Sequence, residues 1–221
     1  MKEAREGVTK SIADQAADIF RGDSSRIRRF FQAYRPFICP FDTVIEQVPN
    51  GSSVLDVGCG AGLFLLLLAA QERISEARGI DIASGAIRAA QQAVERNGFG
   101  SRLSFESWHP DSDLPGGDWT VVTSIDVLHH VPQERQRQFV AALCGAVPVG
   151  GRLIVKDMVR TPRWRAVANG MHDLIMARQA VCHLDPDQVI PWVEAEGLTS
   201  SYFRRENRLW YGHWTTVFIR E

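Results

Sequence analysis

An α/β fold, with a mainly parallel sheet covered by helices on both faces, is what this sequence predicts. Three observations carry it. Short apolar strand-like runs alternate with longer runs of helical period, a glycine-rich turn joins the first such strand to a helix, and no repeat, low-complexity tract or linker divides the 221 residues. A chain of this length buries a continuous core without disulfides or metals to staple it.

The elements follow in order. Residues 11–37 read as helical, with Ile12, Ala16, Ile19 and Phe20 on one face and then a basic, aromatic stretch, Arg26-Ile27-Arg28-Arg29-Phe30-Phe31. Pro36 and Pro40 are expected to break that helix. A short helix over 41–47 ends at Pro49-Asn50-Gly51, a turn signal in front of the first strand, 53–57. Residues 63–72 are apolar nearly all round, as in a helix packed deep against a sheet. A strand over 78–82 precedes a helix with Ser84 at its N-cap, Ile87, Ala90 and Val94 at helical spacing, and Asn97-Gly98 as its stop.

Further strands are expected at Leu103-Ser104-Phe105 and over 119–125. An amphipathic helix over 133–144 is ended by Pro148 and Gly150-Gly151, and another strand begins over 152–155. The rhythm then changes. Residues 163–181 and 186–196 read as helices, and 200–205 with 214–220 as an antiparallel hairpin whose connecting loop is rich in Arg, Asn, Trp, Tyr and Gly.

Composition narrows the function. With 25 Lys and Arg against 26 Asp and Glu there is no global basic field, so a small or locally recognised substrate is favoured over nucleic acid. The run Arg26, Arg28, Arg29, Arg35 reads as a solvated helix face rather than an RNA contact. Cys39, Cys59, Cys144 and Cys182 form no Cys-x-x-Cys pair, and Cys182-His183 and His172-Asp173 lack partners at ligand spacing, so no metal is expected. The longest apolar run, residues 63–70, is too short to span a bilayer, and the first residues lack the apolar core of a secretory signal. No membrane insertion is expected, and the cytoplasm is the expected location.

The chemistry is concentrated in Asp56-Val57-Gly58-Cys59-Gly60-Ala61-Gly62. Closely spaced glycines between a strand and a helix let the backbone turn tightly and approach a ligand. Asp81 lies about 20 residues further on, at the end of the next strand, where a carboxylate accepts hydrogen bonds from ribose hydroxyls. A nucleoside-containing cofactor is thereby favoured over a simple capping role for Asp81. A dinucleotide fingerprint would need glycine at position 63, which is Leu63.

The run from Val54 to Gly62 resembles the first motif of class I S-adenosylmethionine-dependent methyltransferases, and Gly79-Ile80-Asp81-Ile82 resembles their second. The residues Trp119 to Pro132 and Pro148 to Val155 resemble the family's fourth-strand and fifth-strand motifs. The resemblance implies a three-layer, Rossmann-like sandwich around seven strands, with the last inserted antiparallel. Residues 1–50 would form a helical cap and 51–221 the methyltransferase domain, as one folded unit. It also implies that the backbone of Gly58, Cys59, Gly60 and Gly62 holds the methionine end of S-adenosylmethionine, that Asp56 supports its amino group, that Asp81 grips the ribose and that Ile82 packs on adenine. Ser124 and Asp126, in the fourth-strand motif, belong to the same expected site.

Where members of the family commonly carry an acidic dipeptide after the third strand, this chain reads Glu106-Ser107-Trp108, so Trp108 is a candidate to cover the adenine. The aromatic segment 30–37 is expected to fold over the cofactor as a lid, with Tyr34 and Arg35 as contacts and Arg35 facing the cofactor carboxylate. His129 and His130 are candidates to take a proton from a hydroxyl acceptor, although a base is optional for this reaction and a role without catalysis stays open. Ligands sit outside the carboxyl ends of parallel strands. The loop over 206–213 is therefore expected to wall the acceptor pocket, with Trp210 and Tyr211 around an apolar acceptor and Arg208 on an acidic group. Lys156, Asp157 and Met158 would join them from the fifth strand. The expected activity is methylation of a small molecule at oxygen, yielding S-adenosylhomocysteine. The alternatives are a non-catalytic cofactor-binding partner protein and an RNA or protein methyltransferase.

Overall fold

The computed structural model describes residues 2–159, 184–209 and 211–221. The helix expected over 163–181, the pairs His172-Asp173 and Cys182-His183, and Trp210 lie outside the described residues. Three helices lead, α1 (Lys2–Ile19), α2 (Arg26–Ile38) and α3 (Phe41–Glu46). Then come β1 (Ser52–Val57), α4 (Leu63–Ala70), β2 (Ile74–Asp81), α5 (Ser84–Asn97), β3 (Leu103–Ser107) and β4 (Val121–Ile125). A single 3₁₀ turn, Leu128–His130, leads to α6 (Gln133–Gly145), β5 (Arg152–Met158), α7 (Pro186–Ala195), β6 (Thr199–Arg208) and β7 (Tyr211–Ile219).

The seven strands form one sheet in the order β3-β2-β1-β4-β5-β7-β6. Every neighbouring pair is parallel except the two made by β7, which is antiparallel to both β5 and β6. The expected architecture is therefore present, with the last strand inserted antiparallel. The chain leaves β1 toward β2 and β3 and later returns to β1's other side as β4, so a crevice opens at the carboxyl ends of β1 and β4.

Packing explains the two layers. β1 is buried at every residue, as a central strand covered on both faces must be. Leu63 to Leu68 of α4 are all buried, and they share one core cluster with Ile12, Ala16, Ile19 and Phe20 of the N-terminal segment. Each such side chain contributes about 1.5–3 kcal/mol relative to exposure. On the other face, Leu55, Val122, Leu143, Leu153, Val189, Trp214 and Phe218 make the second cluster.

Four sequence expectations need correcting. The helical stretch 11–37 is two helices, because Asp23 accepts from the Ser25 amide at 2.8 Å and the Ser25 hydroxyl accepts from the Arg28 amide at 3.2 Å, which caps α2. Pro36 does not break α2. It sits in the last turn, and the Cys39 amide closes the end on the Arg35 carbonyl at 2.8 Å. Ser84 is the first helical residue rather than the cap. Ala83 holds the cap position, and its amide is taken by Asp81 Oδ1 at 2.8 Å. Finally, most of the expected loop over 206–213 is ladder: Arg208 pairs with Tyr211, and Leu209 takes left-handed backbone at φ +53°.

Candidate functional site

The glycine turn is shaped by both torsion and space. Gly58, Gly60 and Gly62 take φ values of +83°, +56° and +77°, where a Cβ is penalised. A Cβ on Gly58 would stand 2.3 Å from Val127 Cγ2, and one on Gly62 would stand 2.6 Å from Phe105 Cζ. Gly60 differs: a Cβ there would meet only Arg35 Nη1, at 3.8 Å, so its free side faces the crevice. The Gly58 and Cys59 amides donate to the Ile80 carbonyl at 2.8 and 3.0 Å, and the Gly60 amide donates to Asp81 Oδ2 at 2.8 Å. Asp81 thus braces the turn it was expected to assist. Ile82 follows it with 62% of its surface exposed.

A small pocket lies behind this turn, lined by Arg35, Phe41, Asp56, Gly58, Cys59, Phe64 and Ile125. Burial pushes the Asp56 carboxyl up to about 7, against the opposing hydrogen bond from Thr123 Oγ1 at 2.7 Å and the charge of Arg35. Burial likewise raises the Cys59 thiol. Helix α2 covers the pocket and extends Arg35 into it. The guanidinium lies 5.7 Å from the centre of the Phe41 ring and 4.0 Å from Asp126 Oδ2. Tyr34, one residue and about 100° away around the helix, is instead half-buried in a ladder of rings, with Phe30 at 5.9 Å and Phe37 at 6.0 Å.

At the carboxyl ends of β4 and β5 the construction is of side chains. Asp126 has φ +57°, which costs a non-glycine residue about 1–3 kcal/mol. It is held there by its amide on the Lys156 carbonyl at 2.8 Å and its carboxylate on Lys156 Nζ at 2.5 Å. Burial opposes both charges of this pair, yet mutual attraction wins, keeping the Asp126 carboxyl below and the Lys156 ammonium above their ordinary ranges. On the neighbouring residue, Asp157 Oδ1 lies 2.5 Å from His129 Nδ1 and takes the Met158 amide at 2.6 Å, while Oδ2 takes the His129 amide at 3.2 Å. Burial works against charge on His129, but the Asp157 carboxylate prevails and holds the imidazole above its usual value. His130 is exposed, with its ring 4.0 Å from that of His129. His213, buried on β7, is driven down to about 3 by burial and by the charge of Lys156.

Residues 54–151 match the family model for a methyltransferase domain. That span holds the glycine turn, Asp81, Asp126 and both histidines. Over those residues the chain carries a methyltransferase domain. A methyltransferase of Mycobacterium tuberculosis is 34% identical over 139 residues, which is 61% of this chain and 64% of that protein. The ubiquinone biosynthesis O-methyltransferase of Sodalis glossinidius is 24% identical over 167 residues, 69% of this chain and 63% of that one. This chain therefore spans somewhat less than two thirds of the length of both relatives. The solved magnesium protoporphyrin IX methyltransferase of Synechocystis, which carries S-adenosylhomocysteine, superposes with a TM-score of 0.67 at 19% identity, covering 100% of this chain and 99% of that one.

The remaining candidates are placed unevenly. Trp108 is half-buried beside the second strand's end, its amide on the Asp81 carbonyl at 3.0 Å and its indole N–H on the Asp113 carbonyl at 3.2 Å. Ser124 is sealed inside β4, and its hydroxyl finds no partner among the described residues. Tyr211 is buried at the start of β7, 6.2 Å from the His213 ring. Arg208 is engaged elsewhere: it pairs with Asp42, lies 3.4 Å from Glu206 and donates to Thr9 Oγ1 at 2.7 Å, latching the N-terminal helices to the hairpin. The sequence pointed separately to Lys156, Asp157, Asp126 and His129 but not to the pairs they form, and it did not single out His213. The only signal was the charged pair Lys156-Asp157 directly after the apolar run Leu153-Ile154-Val155.

Proposed function

We propose that the chain is an S-adenosylmethionine-dependent methyltransferase that acts on a small-molecule acceptor at an oxygen atom, in the cytoplasm. The observation that carries the reading is the small pocket in which Arg35, Asp56 and the glycine turn converge. The donor set fits S-adenosylmethionine: a guanidinium for its carboxylate, a buried carboxyl for its ammonium, the open side of Gly60 for close backbone approach, and Asp81 with exposed Ile82 for ribose and adenine. When bound, the cofactor supplies an electrophilic methyl group.

The chain's residues then orient and deprotonate. Asp157 fixes the His129 ring, and His129 with His130 receives the proton of the acceptor hydroxyl. Asp126 and Lys156, neutralising each other, keep the floor of the site rigid without leaving a net charge. A small acceptor is supported by the near-neutral balance of 25 Lys and Arg against 26 Asp and Glu, and oxygen by the similarity to an O-methyltransferase of ubiquinone biosynthesis.

Incubation with labelled S-adenosylmethionine and fractionated small-molecule extract, with identification of the labelled product, tests the reading. A labelled small molecule is expected. Label only in RNA or protein overturns it, and tight cofactor binding without any turnover leaves a non-catalytic binding protein. In the same assay Asp81→Ala is expected to weaken cofactor affinity by about 10- to 100-fold, since charge-assisted hydrogen bonds contribute about 1.5–3 kcal/mol. Unchanged affinity removes Asp81 from the site.

A further inference from the structure

Helix α2 is turned inside out. Of its four arginines, Arg28 and Arg35 point into the protein. Arg28 forks onto buried Asp23 at 2.6 and 2.8 Å, and Arg35 reaches the pocket behind the glycine turn. The apolar ridge faces outward instead: Ile27 is 71%, Phe30 64% and Phe37 38% exposed, and half-buried Tyr34 stacks between the two phenylalanines. Spacings of three and four residues place these four on one side of the helix. Exposed Arg26 and half-buried Arg29 lie beside the ridge, Arg21, paired with Asp18, lies just before it, and residues 26–38 hold no Asp or Glu. In a chain of near-neutral balance this is a local concentration of positive charge beside exposed aromatic rings.

From this ridge we infer a docking surface for an anionic phospholipid membrane, with α2 lying in the interface plane. An outward apolar face with arginine at its flanks and low overall hydrophobicity is the pattern of interfacial helices. It is peripheral docking, since no helix among the described residues is long and apolar enough to cross a membrane. A second copy of the chain fits the ridge less well. A 13-residue helix is about 20 Å long and about 10 Å wide, which offers roughly 200 Å² against the ~800 Å² per partner of a stable protein interface. Because Arg35 on the inner side of the same helix lines the pocket, docking would hold against the lipid the helix that covers the site.

Co-sedimentation of the full chain with phosphatidylcholine vesicles, with and without roughly a quarter phosphatidylglycerol, tests this. Binding is expected only to the anionic vesicles, falling with added salt. Ile27→Ser with Phe30→Ser is expected to abolish it. Arg26→Gln with Arg29→Gln is expected to weaken it by about 25-fold, at roughly fivefold for each basic residue near the surface. Melting temperature and S-adenosylhomocysteine affinity report whether each variant keeps its fold, and the arginine pair serves if the apolar pair does not fold. No binding to the anionic vesicles, binding that survives both pairs of substitutions, or equal binding to neutral vesicles overturns the inference. So does a dimer in sedimentation velocity that the Ile27 and Phe30 substitutions dissolve, since the ridge would then join two copies.

Discussion

The two ends of the crevice are built by different means. At β1 and β2 the walls are backbone: three left-handed glycines, amides returned to the Ile80 carbonyl and one carboxylate, Asp81, bracing the turn. At β4, β5 and β7 the walls are side chains, with buried pairs Lys156–Asp126 and His129–Asp157 and a neutral His213 packed together. The first end has no room for extra atoms at Gly58 and Gly62 but holds few charges. The second holds charges that stay buried only while each keeps its partner. Shape is the vulnerability of one and electrostatics that of the other.

The sharpest break of that contrast is Asp126→Ala. It leaves the Lys156 ammonium buried and unpaired, and loss of one partner of a buried ion pair costs about 3–5 kcal/mol. Chemical denaturation measures it. A loss under about 1 kcal/mol, the range of exposed pairs, would mean that water reaches Lys156 and that the two ends do not differ as described.

Gly58→Ala should do at the first end what charge removal does at the second, through sterics alone. The left-handed backbone costs about 1–2 kcal/mol, and the close approach to Val127 adds about 1–3 kcal/mol. Gly60→Ala meets only Arg35 at 3.8 Å and bears the torsional cost alone, so it should unfold later in denaturant than Gly58→Ala while still weakening cofactor binding. Equal stability of the two variants would show that space around Gly58 does not matter.

The smallest effect is one of pH, and it sharpens the comparison because Asp56 is the one buried charge at the backbone end without a buried cation bonded to it. Its free-state value of about 7 means that the carboxyl holds a proton below that pH. On the proposed reading a bound ammonium favours the carboxylate, so binding releases that proton and cofactor affinity falls as pH drops through 7, by about tenfold per unit. Above pH 7 affinity should level off. Titration calorimetry at pH 6 in buffers of different ionisation enthalpy reads the proton directly. Flat affinity from pH 6 to 8 would take Asp56 away from the ammonium.

The sequence by itself determined the alternating sheet, the glycine turn and its acidic partner Asp81. Those features are local: strand and helix periods lie within a window, and glycines needed for torsion appear as glycines. The density of aromatics over residues 30–37 also drew attention to Arg35, which lines the pocket behind the glycine turn, and to Tyr34, which does not. Tertiary structure decided the rest. Asp126 and Lys156 are 30 residues apart and His213 lies 57 beyond Lys156, and they meet only because β4, β5 and β7 are adjacent in the sheet. The same pairing turned the expected 206–213 loop into ladder and handed Arg208 to Asp42 and Thr9. A buried charge needs a partner wherever the fold can supply one, and nothing in the spacing of residues along the chain says which strand will bring it.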